Sequence, residues 1–174
     1  MKPYLFLFIF FFIVPLSIHA ELPLGKKPPV VTLSGDLGGR VNGEPWSSEE
    51  ISGKVFTLMY VDPDEKEINE HVATALKKNK FPLDKYGSIA IINMDATWLP
   101  DFAIASSLEE KQKKYPNTVY VKDLEKELVK KWGLTDDNYD VLVFNQKGEV
   151  IFSKDGKLSE EELEKLIQEI RNNL

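Results

Sequence analysis

A cluster of acidic residues is the first candidate for chemistry in this sequence, because it directly follows an apolar run. Val55–Val61 is bulky and β-branched with one polar interruption, and Asp62, Asp64, Glu65 and Glu67 come next. Carboxylates grouped in this way can hold a small cation, or can act as a general acid and a general base. They are also favoured where a helix begins, since each gains roughly 0.3–1 kcal/mol from the unpaired backbone N–H groups there. The helix explanation is sufficient locally, and the sequence leaves the chemical one open.

Other common ligands and nucleophiles are scarce. The chain contains no cysteine, and His71 is the one histidine outside the N-terminal apolar segment. A single imidazole cannot supply the ligand set that zinc takes, and no serine lies in the Gly-x-Ser-x-Gly turn of a triad hydrolase. We interpret His71 as a packing residue at a helix edge and expect no catalytic residue, metal or cofactor. The lack of thiols excludes thiol–disulfide exchange and Cys-dependent peroxidase chemistry.

Residues Asp136–Asp140 place oxygen-bearing side chains at alternate positions, as the first part of a calcium-binding loop does. The rest of the pattern departs from such a loop, since Val141 stands where glycine is needed and Lys147 replaces the closing glutamate. We interpret the stretch as a turn before a strand, at whose beginning Tyr139 and Asp140 lie.

Trp98 lies in a loop with Pro100, between two predicted elements. An aromatic side chain on an exposed loop can anchor a peptide or another protein. Trp98 can equally fold back over the sheet, and the sequence leaves both alternatives open.

Hydrophobic periodicity predicts the elements that position these residues. Val55–Val61 predicts a strand buried on both faces, and the pattern breaks at Asp62. Asp62 can cap the next helix, with Pro63 in its first position and Glu65 completing a capping box. The apolar stripe of this helix consists of Ile68, Val72, Ala75 and Leu76.

Strands and helices alternate along the rest of the chain. The helix predicted over 102–115 turns Phe102, Ala105 and Leu108 inward, and Asp123 caps the helix that ends at Gly133. Further strands are predicted over 30–33, 88–93, 118–121, 139–145 and 149–153, and the last helix follows a capping box at Ser159. This order implies parallel strands joined by right-handed crossovers, with an antiparallel closing hairpin. The predicted fold is α/β, a thioredoxin-like three-layer α/β/α arrangement with a mixed central sheet and an N-terminal β extension.

Residues 1–20 have the three parts of a secretory signal peptide. Lys2 is a short positive region, Leu5–Val14 is an unbroken apolar run, and Pro15 breaks it ahead of a small-residue site that ends at Ala20. A membrane anchor is the alternative, but it needs roughly 20 apolar residues, and this run is shorter. We predict cleavage after Ala20, one domain over residues 21–174, and no stable membrane anchor after cleavage.

The charge balance argues against nucleic acid as a partner. The whole chain has 22 Lys and Arg against 28 Asp and Glu, a net charge of −6 at pH 7. Lys2 is the one charged residue of the predicted signal peptide, so the mature chain would carry 21 basic against 28 acidic residues, a net charge of −7. Such a surface repels phosphates and offers no basic footprint for DNA or RNA.

Seven short motifs occur in a characteristic order. They are Pro45-Trp46, Gly53-Lys54-Val55, Phe81-Pro82-x-Asp84-x-Tyr86, Asn93-x-Asp95, Ser106-Ser107-Leu108-Glu109, Lys131-Trp132-x-Leu134 and Asp155-Gly156-x-Leu158. On these motifs the chain resembles the YtfJ family of exported bacterial proteins over most of its length. The resemblance implies a periplasmic protein of a Gram-negative bacterium, with a thioredoxin-like fold that lacks the redox cysteines, and implies no established reaction. Some members are labelled transcriptional regulators, a role that export and acidic charge disfavour for this chain.

A looser similarity to thioredoxin-like reductases implies where a redox site would lie. The two cysteine positions would fall near Glu65 and Ile68, and the cis-proline that faces them would fall near Tyr139 or Asp140. No proline stands at either place, so both halves of the redox site are missing.

We hypothesise that the mature chain binds a periplasmic protein, a peptide or a small ligand without redox turnover. The binding face is predicted at the carboxyl ends of the strands, where open α/β sheets bind ligands. The alternative is a carboxylate- or cation-dependent hydrolase at the same end. A hydrolase would bring together carboxylates with pKa values pushed apart, whereas a binding module would expose an apolar or aromatic patch. The residues of this candidate binding face are Asp62, Asp64, Glu65, Trp98, Tyr139 and Asp140.

Overall fold

The computed structural model describes residues 22–174, so the predicted signal peptide and its cleavage point lie outside the described residues. Within this range the strands are β1 (Thr32–Leu33), β2 (Gly38–Arg40), β3 (Trp46–Ser47), β4 (Val55–Val61), β5 (Tyr86–Asn93), β6 (Thr118–Asp123), β7 (Tyr139–Phe144) and β8 (Val150–Asp155). The α-helices are α1 (Glu70–Asn79), α2 (Asp101–Lys114), α3 (Glu127–Trp132) and α4 (Glu160–Asn173). In this part of the chain no helix is long and apolar enough to cross a bilayer.

Strand β4 is the centre of a mixed sheet. Among residues 22–174, six strands pair in the order β2-β6-β5-β4-β7-β8. β4, β5 and β6 are parallel to one another, whereas β2, β7 and β8 pair antiparallel with their neighbours. β4 has the predicted bounds, and all its side chains except Phe56 are buried. The predicted α/β class, the mixed sheet and the closing hairpin are therefore confirmed.

The helix after β4 begins at Glu70, so the prediction that it begins at Pro63 is wrong. Asp62 does act as a cap, because its Oδ1 accepts a hydrogen bond from the Asp64 backbone N–H at 2.8 Å. What it caps is only a short 3-10 turn over Pro63–Glu65. The carboxylates around Asp62 therefore lie in a turn and not in the first turn of a long helix.

Asn69 fixes the point where α1 begins. Its buried side chain donates from Nδ2 to the Gly156 carbonyl at 2.8 Å and accepts at Oδ1 from the Leu158 backbone N–H at 3.0 Å. Nε2 of the half-buried His71 also lies 3.0 Å from the Leu158 carbonyl oxygen. These bonds tie Asn69 to the loop that precedes α4, so the residues before it remain in turns.

Helix α2 begins and ends within one residue of the prediction, but its buried side is different. Ile104 and Leu108 are its buried residues, whereas Phe102 is 78 % exposed, so the expectation that Phe102 points inward is wrong. Because successive residues advance about 100° around a helix, a residue two positions from Ile104 lies on nearly the opposite side.

Two cores lie on opposite faces of the main sheet. One face, called here the α1/α2 face, is covered by α1, α2 and α4 and includes Met59, Ala90 and Ile92 of the sheet. The other, called the α3 face, is covered by α3 and by residues before β4, and includes Leu58 and Ile91. Alternate residues of each strand therefore contribute to different cores.

The predicted N-terminal β extension packs on the α3 face and also extends the sheet. Trp46 is buried there, and Nε1 of Trp132 in α3 donates to the Pro29 carbonyl at 2.7 Å. Within the glycine-rich stretch, β2 pairs with β6, and Gly38 has a φ of 118°. A Cβ at Gly38 would lie 2.0 Å from the Lys122 carbonyl oxygen, so only glycine allows this close pairing.

Candidate functional site

The predicted binding-face residues after β4 and at the beginning of β7 come together at the carboxyl ends of the parallel strands. Val61 pairs with Tyr139, and Tyr60 pairs with Asp140. The Asp62 backbone N–H then donates to the Asn138 carbonyl at 2.9 Å. This is the end of the sheet at which the sequence predicts the site.

The six residues nevertheless differ in exposure and in the face they reach. Asp62, Tyr139 and Asp140 are buried, Glu65 is half-buried, and Asp64 and Trp98 are exposed. Tyr139 belongs to the core of the α1/α2 face. Asp140 is its neighbour in the same strand and therefore points to the α3 face. The structure thus brings the segment after β4 to the beginning of β7, but the six residues do not form one continuous accessible surface.

Four polar side chains form a buried row on the α3 face, one from each of four neighbouring strands: Asp123 of β6, Asn93 of β5, Tyr60 of β4 and Asp140 of β7. The Tyr60 hydroxyl donates to Asp123 Oδ2 at 3.1 Å. Burial is the main cause that raises the pKa of this hydroxyl, and the charge of Asp123 adds to it. The sequence reasoning missed this row, although Asn93 ends an apolar run and Asp123 follows one after a single lysine.

Asp123 also holds the beginning of α3, as predicted. Its Oδ1 accepts from the Glu127 backbone N–H at 2.9 Å, and its Oδ2 accepts from the Leu128 backbone N–H at 3.0 Å. With the bond from Tyr60, the buried carboxylate accepts three hydrogen bonds, and its role in this structure is to join β4, β6 and α3.

Asp136 lies beside the row and is paired with Lys126. Lys126 Nζ lies 2.9 Å from Asp136 Oδ2 and 3.5 Å from Asp95 Oδ2, and Asn93 Nδ2 donates to Asp136 Oδ1 at 3.0 Å. Burial acts to raise the pKa of Asp136, but the hydrogen bonds from Lys126 and Asn93 hold it below its usual value. In residues 22–174 no group of three or more His, Asp or Glu side chains is arranged to hold a metal ion.

Asp140 is the most perturbed carboxyl of the row. Burial is the main cause that raises the pKa of Asp140 to about 7, and the charge of Asp155 raises it further. A long hydrogen bond of 3.5 Å from the Thr135 backbone N–H acts in the opposite direction. Among the described residues, Asp140 Oδ2 and Asn93 Oδ1 are the buried side-chain atoms without a hydrogen-bond partner. The row is therefore satisfied at Asp123 and incomplete at Asp140.

A cleft of about 1050 Å³ opens on the other side of the sheet, between α1 and α2. Met59, Ala90 and Ile92 line it from the sheet, and Leu108 lines it from α2. It extends along β5 from Tyr86 to Ile92, which is roughly 20 Å at the ordinary rise of a strand. This space is of the size that proteins use for small-molecule ligands.

The cleft exists because the two helices fill little of the space above the sheet. α1 buries Val72 and Leu76, and α2 buries Ile104 and Leu108. The wall formed by α2 is fixed at its C-terminal end by Gln112. Its Nε2 donates to the Thr118 carbonyl at 2.9 Å, and its Oε1 accepts from the Tyr120 backbone N–H at 3.2 Å.

Positive charge is concentrated around the cleft. Two acidic residues line it, Glu67 and Glu70, against five lysines, which gives the lining a net charge of +3 in a chain of net charge −6. Across residues 22–174, none of the five lysines has a carboxylate within salt-bridge distance. The five are Lys66, Lys77, Lys80, Lys111 and Lys114.

The lysines of the two helices approach each other across the cleft. Lys77 of α1 and Lys114 of α2 place their Nζ atoms 5.5 and 5.4 Å from the centre of the Tyr115 ring. Desolvation, and after it the positive charge of Lys66, lower the pKa of Lys111. The sequence reasoning missed these lysines, because their sequence positions are also those that a helix dipole favours near a C-terminus.

Known proteins resemble this chain in fold, and others resemble it in sequence. The thioredoxin domain of a thiol-disulfide oxidoreductase from Bacteroides vulgatus superposes with a TM-score of 0.62 at 14% identity, over 85% of this chain and 97% of that chain. The thioredoxin-like fold is therefore shown, while the chain has no cysteine with which to perform that protein's chemistry.

The sequence relatives agree with the resemblance found in the motifs. An uncharacterized protein YtfJ of Escherichia coli is 29% identical over 150 residues, covering 82% of this chain and 81% of that protein. An uncharacterized protein of Haemophilus influenzae is 27% identical over 157 residues, covering 88% and 79%. The family described as "Bacterial protein of unknown function (YtfJ_HI0045)" matches residues 32–173. Because this match includes most of the chain, the protein belongs to that family.

Proposed function

We propose that this protein is an exported, periplasmic binding module that holds a small apolar or amphipathic ligand without thiol redox turnover. The observation that carries the proposal is the cleft of about 1050 Å³ between α1 and α2. An apolar floor such as Met59, Ala90 and Ile92 offers burial worth about 25 cal/mol per Å² of apolar ligand surface. The absence of cysteine excludes thiol-based electron exchange, which agrees with a binding role for this fold.

A neutral fluorescent probe tests the proposal, with a matched pair of blocked variants. Ser107 of α2 is exposed and lines the cleft, whereas its neighbour Ser106 is exposed and does not line it. N-phenyl-1-naphthylamine should brighten on binding to the wild type and to S106W, and S107W should abolish the signal. No binding to the wild type, or equal binding by the two variants, would contradict the proposed site.

Export is a separate part of the proposal and rests on the signal-peptide pattern of residues 1–20. Intact-mass measurement of the protein released from the periplasm should give a chain that begins at Glu21. Retention of residues 1–20 would instead favour a membrane anchor.

The hydrolase alternative has one observation in its favour, since Asp136 and Asp140 have pKa values shifted in opposite directions. The arrangement of these two carboxyl groups nevertheless fits a structural role better than a catalytic one. Asp136 is engaged by Lys126 and Asn93. The Asp140 carboxyl points to the α3 face, where its Oδ2 is enclosed by the protein, so the cleft gives a substrate no route to it. A transcriptional role gains no support, because the chain is acidic and predicted to be exported.

A second candidate function is contact with a protein or peptide partner. Trp98, in the loop before α2, is 86 % exposed, and Phe102, in the first turn of α2, is 78 % exposed. Exposed aromatic side chains of this kind are typical anchors of interfaces. A photo-crosslinking residue at position 102 should give a discrete adduct in the intact periplasm that one at Lys113, on the far end of α2, does not. The adduct should disappear in W98A, and equal labelling from both positions would contradict this role.

A further inference from the structure

The charges that line the cleft are separated along its length. Lys66, Glu67 and Glu70 lie before and at the beginning of α1 with a net charge of −1, whereas Lys77 and Lys80 lie at its end. Both α1 and α2 follow a parallel strand and return to the amino end of the sheet, so Lys111 and Lys114 in the last turn of α2 lie at the same end. One end of the cleft is therefore basic, and the other is apolar and weakly acidic.

Helix dipoles explain part of this pattern, since cations are favoured in the last turn of any helix. They do not explain which lysines line the cleft. Lys78 and Lys113 also lie in the last turns of α1 and α2, but they do not line it. The lysines that do line it are exposed and have no carboxylate partner among residues 22–174, so an anion among them would relieve their mutual repulsion.

From this charge separation we infer that the ligand is a free single-chain amphiphilic anion, with its carboxylate between Lys77 and Lys114 and its alkyl chain along β5 toward Ile92. The inference rests on the proposed function and adds the chemical class and the orientation of the ligand. The roughly 20 Å of cleft accommodate an extended alkyl chain rather than a compact ring system. The lysine ammonium groups of the basic end can form strong hydrogen bonds with a carboxylate, because both partners are charged.

The apolar part of the cleft fits the chain of such a ligand. Gly87 and Ala90 are the smallest residues that β5 contributes to it, and Leu99 and Ile104 line the end at which α2 begins. Each buried methylene contributes to binding, so extending a carboxylate by two methylenes should tighten its Kd by roughly tenfold while the cleft has room.

Calorimetry with dodecanoate, below the concentration at which it forms micelles, tests the inference. We expect one site on the full mature chain, with hexanoate far weaker and neutral dodecyl maltoside at least roughly tenfold weaker than dodecanoate. The double variant K77Q/K114Q should bind dodecanoate roughly tenfold more weakly than the wild type, and the matched control K78Q/K113Q should bind it as the wild type does. S107W should block dodecanoate, and S106W should not.

The outcomes separate the two proposals. If neutral and anionic amphiphiles bind equally and K77Q/K114Q behaves as the wild type, the anionic class is wrong while the binding module stands. If dodecanoate binds S107W as tightly as it binds the wild type, the ligand lies elsewhere and the inference is overturned. If neither dodecanoate nor the neutral fluorescent probe binds, both proposals fail. If the protein binds anionic phospholipid vesicles but not monomeric dodecanoate, the inference of a free ligand is wrong and the partner is a membrane surface.

Discussion

The two faces of the central sheet use polar residues in opposite ways. On the α3 face, a row of polar side chains is buried and held by hydrogen bonds within the protein, as where Asp123 accepts from Tyr60 and from two backbone N–H groups. Among residues 22–174, Asn93 Oδ1 and Asp140 Oδ2 are the exceptions. On the α1/α2 face, lysines surround an open cleft without carboxylate partners among residues 22–174. The first arrangement joins elements of the fold, and the second is where we propose that a ligand binds.

The largest effect is expected for D123A. The substitution leaves the Tyr60 hydroxyl and two backbone N–H groups without their acceptor inside the protein, and removes the cap of α3. We expect a loss of about 3 kcal/mol in the free energy of unfolding, measured by urea denaturation. Y60F, which removes one bond and leaves the carboxylate with two, should cost about 1 kcal/mol. Equal losses in the two variants would show that Asp123 does not act as the junction.

Matched leucine truncations compare the packing of the two faces. Leu128 of α3 is fully buried in the closed core, whereas Leu108 of α2 lines the cleft. We expect L128A to cost about 3–4 kcal/mol and L108A about 2 kcal/mol, because the cavity left by Leu108 joins a space that is already open. Equal costs in urea denaturation would indicate that the cleft is closed in solution.

The buried carboxyl of Asp140 gives a prediction that depends on pH. Because burial raises its pKa to about 7 in the folded state, the folded protein holds this proton where the unfolded chain has released it. Its contribution to stability is therefore complete below about pH 4 and is lost as pH rises through about 7. D140N, which cannot ionise, should gain on the order of 2 kcal/mol relative to the wild type between about pH 5 and about pH 8. A difference that stays constant over this range would mean that Asp140 titrates normally.

The smallest change in stability is expected for the lysines of the cleft. K77Q/K114Q and K66Q/K111Q should each alter the free energy of unfolding by less than about 0.5 kcal/mol, because exposed charges without ion-pair partners contribute little. Thermal denaturation of the unliganded protein measures this. A large loss would show that these lysines hold α1 and α2 in place, and would remove the main contrast between the faces.

Local patterns in the sequence predicted much of the fold. The apolar run Val55–Val61 fixed the central strand, and Ser159 with Glu162 forms the capping box predicted for α4. The beginning of α1 could not be predicted, because it depends on bonds from Asn69 to a loop about ninety residues further along the chain. The outward position of Phe102 was also missed, since helical spacing alone did not show that Ile104 and Leu108 face the sheet.

The sequence by itself determined the family motifs, the alternation of strands and helices, and the absence of thiol chemistry, because each depends on residue type and short spacing. Only the tertiary structure decided where the polar residues act. Tyr139 and Asp140 are adjacent in the chain but lie on opposite faces, since successive side chains of a strand alternate. The cleft is likewise a property of how α1 and α2 lie over the sheet. Its lysines come from separate helices and meet only when parallel strands bring both helices to the same face.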